Sequence, residues 1–196
     1  MSGSRAGSGT GGDTAAGPDT GGVPELPPGE PDPSTAGPAS LLTGYLDYCR
    51  QTLLRKLDGL SEDELRRSRL PSGWTPLDLV RHLTYVERRW LCWGFAAEPV
   101  PDPWGDDGED GRWHVPANAT VEEVLADFRA QCARSRDIVR GVKLEERART
   151  GGRFPADGAA EPPTLGWILC HLLQEHARHL GQLDVVRELA DGTTGE

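Results

Sequence analysis

Apolar residues recur at steps of three and four along most of this chain from Leu41 onward, a spacing that places side chains on one face of a helix. In the first such segment they are Leu42, Tyr45, Leu46, Cys49, Leu53 and Leu57. No segment shows the convincing alternation of apolar and polar residues that is typical of a half-buried strand. We therefore predict an all-α domain over residues 39–196, a four-helix bundle of four long helices and one short one.

Helix-start signals support the same division of the chain. Hydroxyl residues that can cap a helix N-terminus, each placed before a periodic segment, are Ser61, Thr75, Thr120 and Thr164. Pro76 at the first helical position strengthens the second of the long helices. The predicted long helices cover about residues 41–57, 75–95, 120–142 and 164–190, and Gly192 is expected to end the last one.

Residues 1–38 are rich in Gly, Pro, Ser, Thr and Asp and hold almost nothing apolar to bury. Such a segment cannot offset the entropy that its backbone loses on ordering, so we predict a disordered tail. The chain carries a net charge of −10, and an anionic surface repels nucleic acids and acidic membranes. No signal peptide and no apolar run of about 18 residues is evident. We expect a cytoplasmic protein that acts on small molecules.

The four cysteines are widely spread and form no C-x-x-C pair, so we expect reduced and mostly buried thiols. Cys170 adjoins His171, which would suit a Cys-His nucleophile only if the two side chains faced each other. Adjacent helix residues point about 100° apart. We therefore expect the Cys170 thiol to be buried and inert.

Residues 97–119 form a long acidic stretch that contains Trp104 and Trp113. Loops of this length in compact domains are often functional, for example at the rim of an active site, and disorder is the alternative. The stretch 106–110 lacks the ligand order of a calcium loop, so we expect it to be solvated. His114 is expected to be exposed in the same loop.

The last helix carries polar residues in the middle of its predicted core seam. At alternating steps of four and three, that seam reads Ile168, Leu172, Glu175, His179, Gln182, Val186 and Leu189. An ionised carboxylate in a core position is costly unless another charge compensates it. A divalent cation would provide that compensation. Glu175 and His179 lie one turn apart on the same face, a spacing that lets both reach one ion.

The second long helix has one histidine, His82, within the stripe formed with Leu79, Val86, Trp90 and Trp93. A lone inward histidine is usually a core residue that bonds a neighbour, and a Glu-x-x-x-His pair is often a surface ion pair. Together on two apolar faces they favour a metal site, since the alternative buries a carboxylate and two imidazoles without a charge partner.

Two further histidines of the last helix are open to other interpretations. His171 stands one turn before Glu175, so a ladder of His171, Glu175 and His179 is an alternative ligand set, although it leaves His82 unexplained. His176 falls toward the edge of the predicted seam. We therefore expect His176 at the rim of the bundle or in solvent.

The segments 71-PSGWTPLDLVRHLTYVERRW-90 and 164-TLGWILCHLLQEHARHLGQLDVVRELADGTTGE-196 resemble the DinB-like superfamily. More narrowly, they are similar to its actinobacterial branch of mini-circle-protein-like and mycothiol-dependent members. The resemblance covers about residues 40–196. It implies a four-helix bundle that holds a divalent metal, typically zinc, through His82, Glu175 and His179, and it also implies a homodimer. Many relatives have histidine at the position of Gln182, and others at that of Glu175, so the fourth ligand and the metal stay open.

The function implied by the resemblance is a zinc-dependent transferase that uses a low-molecular-weight thiol such as mycothiol. Three protein ligands leave one coordination position open, and a thiol that enters it is deprotonated to a nucleophile that attacks a small electrophile. We expect Gln182 and Asp184 to support the ligands. We expect Arg81 or Arg178 to steer an anionic group of the substrate.

Two other functions stay open at this point. One is a non-catalytic metal- or ligand-binding bundle with a role in stress or regulation. The other is a hydrolase in which zinc-bound water is the nucleophile and Glu175 the base, which conflicts with Glu175 as a ligand. Metal analysis followed by a thiol-transfer assay separates these functions.

Overall fold

The computed structural model describes residues 29–158 and 160–194, and over these ranges the regular structure is helical. Most of the predicted tail, residues 1–28, lies outside the described residues. The helices are α1 (Pro38–Leu57), α2 (Glu62–Leu65), α3 (Pro76–Glu87, which continues as a π-helical segment over Arg88–Phe95), α4 (Val121–Val139) and α5 (Leu165–Asp191). The prediction of an all-α fold with four long helices and a short one is confirmed. Among the described residues, no helix is long and apolar enough to cross a membrane.

The predicted caps begin the helices. Thr75 and Thr120 each form a complete capping box, in which the hydroxyl accepts from the third helical amide and an acidic side chain bonds back to the cap. The hydroxyl of Thr164 accepts from the amide of Trp167. Gly192 ends α5 with φ of 77°, in the left-handed region that favours glycine. α4 ends at Val139, before the predicted position, because Arg140 is already extended.

The four long helices run up, down, down and up. α1 and α5 are parallel, since Leu46 clusters with Leu172 near their starts and Lys56 pairs with Asp184 toward their ends. α3 is antiparallel to both, and it packs on α4 through contacts such as the ion pair of Arg88 with Asp127, 2.9 Å. This order places the N-terminal half of α3 beside the C-terminal half of α5.

The winding of the second long helix changes at Arg88. In the π-helical segment the amide of Ala96 bonds the carbonyl of Leu91 at 2.9 Å, one residue further back than in an α-helix. The wider turns shift the register, so that Leu91 is fully buried. Trp90 and Trp93, which the α-helical stripe places in the core, are only half-buried.

The core face of α5 departs from the predicted seam toward the C-terminus. A strict seven-residue seam drifts by about 20° per heptad relative to a straight α-helix. Gln182 and Leu189 therefore lie on the exposed side, with Leu189 51% exposed, although the seam predicts them to face inward. His176 takes a core position instead and is 0% exposed, so its predicted place at the rim or in solvent is wrong.

His176 belongs to a buried charge network that joins three helices. Its Nε2 lies 3.0 Å from Oε1 of Glu87 on α3, and Arg50 on α1 donates two hydrogen bonds to the same carboxylate, at 2.7 and 2.6 Å. Asp47 accepts a further bond from Arg50 at 2.6 Å. Burial by itself raises the pKa of Glu87, but the Arg50 charge and the bonds from His176 and Arg50 outweigh it and hold that pKa well below its usual range.

The cysteines follow the prediction with one exception. Cys49, Cys92 and Cys132 are free and buried. Cys170 is free but exposed, so the expectation of a buried thiol is wrong there. The reason is geometric, because Leu169 occupies the core face of α5 and its neighbour points about 100° away from it.

Candidate metal centre

The predicted ligands come together between α3 and α5. One ligand atom each from His82, Glu175 and His179 can be chosen so that the atoms lie within 4.8 Å of one another. Nε2 of His179 is 3.3 Å from Oε2 of Glu175, as the one-turn spacing leads one to expect. The rings of His82 and His179 meet edge to face, with centroids 5.1 Å apart.

Aromatic side chains enclose this cluster. The indole of Trp113, from the acidic loop, stacks on the His82 ring at a centroid distance of 3.9 Å and an interplanar angle of 17°. The Trp113 ring also meets the His179 ring edge to face, with centroids 5.0 Å apart. The ring centroid of Trp74 lies 6.1 Å from that of Trp113. His179 is only 2% exposed. The Glu175 side chain is 14% exposed and lies beside this apolar region, where a carboxylate needs a compensating cation.

Gln182 orients His179. Its Oε1 lies 2.8 Å from Nδ1 of His179, and since the amide oxygen only accepts, the imidazole must donate from Nδ1. The lone pair of Nε2 then faces Glu175 and His82. Burial lowers the pKa of His179 despite the bond to Gln182, and the neutral ring that results is the form that binds metals.

Asp106 orients His82 in the same way, and the sequence did not single it out. Its Oδ2 lies 2.9 Å from Nδ1 of His82, which leaves Nε2 of that ring for the cluster. Two bonds from Arg89 hold the carboxylate, one of them to Oδ2 at 3.1 Å. Asp106 is 0% exposed, so the prediction that 106–110 is solvated is wrong at its first residue. Burial raises the pKa of Asp106, but the bonds from His82 and Arg89 and the Arg89 charge lower it overall.

The structure separates the other predicted residues. Arg178 is near the ligands, with Nη2 3.0 Å from Oε2 of Glu175 and 3.4 Å from Nε2 of His179. Arg81 instead donates to the carbonyl of Gly105 at 2.7 Å and so holds the acidic loop. Asp184, which was expected to support the metal ligands, instead forms an ion pair with Lys56 on α1.

The remaining histidines lie elsewhere. His171 packs among tryptophans, stacked on Trp167 at 5.3 Å and tilted against Trp90 at 4.5 Å. Burial lowers the pKa of His171. His114 is exposed, as predicted. Among the described residues, the ligand atoms that come together are those of His82, Glu175 and His179. The alternative set, with His171 in place of His82, does not come together in this way.

Comparison with known proteins identifies the family. The model of the mycothiol S-transferase family matches residues 41–192. The chain belongs to the mycothiol S-transferase family. This is a DinB-like family, so the resemblance drawn from the two sequence segments is confirmed. A search among curated proteins finds no match. The crystal structure of a conserved protein from Enterococcus faecalis is similar in fold, with a TM-score of 0.59 and 15% identity, covering 81% of this chain and 100% of that one.

The donors that this member of the mycothiol S-transferase family brings together suit a divalent metal. Two imidazole nitrogens and a carboxylate oxygen are a ligand set that zinc accepts at catalytic sites. Both rings have their Nδ1 atoms engaged, by Asp106 and Gln182, so both offer Nε2 to the same space. The role of His82, Glu175 and His179 as ligands stays a prediction that this geometry fits.

Proposed function

We propose that this protein is a zinc-dependent mycothiol S-transferase that moves the thiol onto a small electrophile. The observation that carries the proposal is the convergence of His82, Glu175 and His179 within 4.8 Å beside the stacked Trp113. The family match supports the transfer of mycothiol. A cytoplasmic location and a homodimer belong to the same proposal, and another divalent metal in place of zinc is the alternative for the ion.

The three side chains would hold the ion and leave one coordination position open. When bound there, the ion supplies acidity, since a coordinated thiol loses its proton near neutral pH. Asp106 and Gln182 keep the two imidazoles in the tautomer that binds a cation. Trp113 excludes water from one side of the cluster and thereby strengthens the attraction between the carboxylate and a cation.

The reaction itself needs no covalent nucleophile from the chain. The thiolate sulfur attacks an electrophilic carbon and forms the new carbon–sulfur bond. The bond to the leaving group, for example a halide, breaks and the halide takes the electron pair, while the thiol proton passes to solvent. Arg178, exposed beside Glu175, is the better placed of the two predicted arginines to meet an anionic group, because Arg81 is engaged by the loop.

Metal analysis and a transfer assay on the full chain test the proposal. Purified protein is expected to hold about one zinc per chain and to accelerate adduct formation between mycothiol and a bromobimane or a chloro-aromatic compound. His82→Ala should lose both the metal and the activity. His114→Ala is the matched control, because it removes an exposed loop histidine.

Two results would contradict the proposal at different levels. Stoichiometric metal without transfer to any electrophile would favour a non-catalytic binding protein. Absence of bound metal, with unchanged stability in His82→Ala, would remove the metal centre itself.

A further inference from the structure

A cavity of about 440 Å³ lies where the connection between α4 and α5 meets the first turn of α5. Three aromatic side chains form its apolar walls, namely Trp90 of the π-helical segment, Phe154 of the connection and Trp167 of α5. The three candidate metal ligands do not line it. Trp167 precedes Glu175 by eight residues, which is about 12 Å along the helix. The cavity is therefore distinct from the candidate metal centre.

Backbone contacts hold the connection in place beside the cavity. Arg147 and Thr164 form an isolated antiparallel bridge. The amide of Arg153 donates to the carbonyl of Trp93 at 3.0 Å, which attaches the connection to the π-helical segment. The chain approaches this segment closely at Gly152, where an added Cβ would collide with the same carbonyl oxygen. The walls are thus already formed, as is usual for sites that bind small molecules.

The aromatic walls are tilted against one another. The ring of Trp90 lies 5.4 Å from that of Trp167, at an interplanar angle of 51°, and 6.4 Å from that of Phe154, at 45°. Trp167 is 52% exposed, so part of its ring remains open to a ligand. A flat apolar molecule can stack against one of these rings and meet the edge of another.

The charged side chains that line the cavity are paired with each other. Nη2 of Arg147 lies 2.5 Å from Oε2 of Glu161, and Nη1 of Arg147 donates to the carbonyl of Pro162 at 2.9 Å. A carboxylate that took Arg147 would leave Glu161 without its partner, and an ammonium group that took Glu161 would leave Arg147 alone. A charged ligand would therefore exchange one exposed ion pair for another, a change that contributes little free energy.

Arg153 does not provide a contact for a charged ligand. Its guanidinium carbon lies 4.1 Å from the ring centroid of Trp90, and it packs also on Trp93 and Trp104 at 6.0 and 5.9 Å. Arg153 is not one of the lining residues, so it does not meet an anion in the cavity. Its charge on Trp90 would repel a second cation on the same ring.

We propose that this cavity binds an uncharged planar aromatic molecule, with its ring against Trp90, Phe154 and Trp167. Among the described residues that line the cavity, none carries an unpaired charge. Burial of apolar surface and contacts between rings would therefore supply the affinity. The inference does not rest on the proposed function, because the cavity and the candidate metal centre share no residue.

Calorimetric titration of three naphthalene compounds into the full chain tests the class of ligand. The probes are neutral 1-naphthylmethanol, anionic 1-naphthoate and cationic 1-naphthylmethylammonium. We expect the alcohol to bind at least about tenfold more tightly than either ion, because the cavity offers no free charge to compensate the desolvation of an ionic group. The alcohol should bind equally well after treatment with a chelator and in His82→Ala, since neither changes the cavity.

Variants of the walls test the location of the bound probe. Trp167→Ala should weaken binding of the alcohol by about tenfold, and Trp167→Phe should retain most of it, because an aromatic ring remains. Leu189→Ala is the matched control, since Leu189 is an apolar side chain of the same helix that is 51% exposed near the other end. Arg147→Gln combined with Glu161→Gln should change binding of the alcohol by less than about twofold.

Four results would overturn the inference. They are the absence of measurable binding of the alcohol, tighter binding of either ion, an equal loss of binding in Trp167→Ala and Leu189→Ala, and a loss of binding in His82→Ala. The last result would mean that the probe binds at the metal centre. The first three would leave the proposed metal centre unaffected, because metal analysis tests that centre separately.

Discussion

Nδ1 of His82 lies 2.9 Å from Oδ2 of Asp106, a residue 24 positions later in the acidic loop. The loop thereby sets the orientation of a helix side chain that belongs to the candidate metal centre. Arg89 holds the carboxylate from the other side. A chain of contacts thus runs from the second long helix through the loop and back to the same helix.

Substitution of Asp106 should weaken metal binding. Asp106→Asn keeps the shape but removes the charge that supports His82, and changes to such supporting residues typically weaken metal affinity by about 10- to 100-fold. Zinc affinity would be measured by competition with a chromophoric chelator. Asp110→Asn, at an exposed acid of the same loop, is the control and should leave the affinity unchanged. Equal affinities for the two variants would show that Asp106 does not support the site.

Removal of Arg178 should raise zinc affinity. Its Nη2 contacts Oε2 of Glu175 at 3.0 Å and lies 3.4 Å from Nε2 of His179, two atoms that a metal would use. The side chain is 55% exposed, and exposed ion pairs contribute at most about 1 kcal/mol, so Arg178→Gln should raise the affinity up to about fivefold. The same chelator competition measures the affinity, with Arg140→Gln, at an exposed arginine that follows the end of α4, as the control. A lower affinity would mean that Arg178 supports the site.

The buried pair of Arg50 and Glu87 should dominate the stability effects of single changes. Arg50→Leu leaves a carboxylate that is 0% exposed without its charge partner, which typically costs about 3–5 kcal/mol in the free energy of unfolding. Urea denaturation measures that free energy. Arg50→Leu combined with Glu87→Leu should be less destabilised than Arg50→Leu alone, because no isolated charge remains. A single variant that loses under about 1 kcal/mol would contradict this account.

The lowered pKa of Glu87 predicts loss of stability in acid. The pKa of a glutamate in the unfolded chain is about 4.3, and that of Glu87 in the folded protein lies lower. Ionised Glu87 therefore stabilises the folded state fully above about pH 5, and this contribution is lost as the pH falls toward the folded pKa. Between about pH 4 and 3, one such group contributes up to about 1.4 kcal/mol per pH unit. Urea midpoints, measured with a chelator present, should depend less on pH in Glu87→Gln.

A surface carboxylate provides the control for that measurement. Glu62 is 65% exposed at its side chain, so Glu62→Gln should keep the acid dependence of the unaltered chain. If Glu87→Gln and Glu62→Gln gave the same profile, the acid sensitivity would have to come from other groups, and the network of Arg50, Glu87 and His176 would not be its source.

Local sequence patterns were sufficient to predict the helices and the three candidate ligands, but not the residues around the ligands, such as Asp106. Capping boxes and apolar spacing act within a few residues, so Thr75 and Thr120 were recognisable as helix starts. The one-turn spacing of Glu175 and His179 is likewise a property of one helix, and it placed both on one face. His82 joined them because its own stripe also pointed inward.

Tertiary structure decided which partners meet these residues. Asp106 reaches His82 only because the acidic loop folds back over α3. An irregular segment has no periodic pattern from which that contact could be predicted. His176 is buried because α5 keeps an α-helical winding that rotates it into the core, where Glu87 and Arg50 meet it from two other helices. Helix formation and side-chain spacing are thus determined by neighbours in sequence, whereas burial and charge pairing depend on the packing of distant segments.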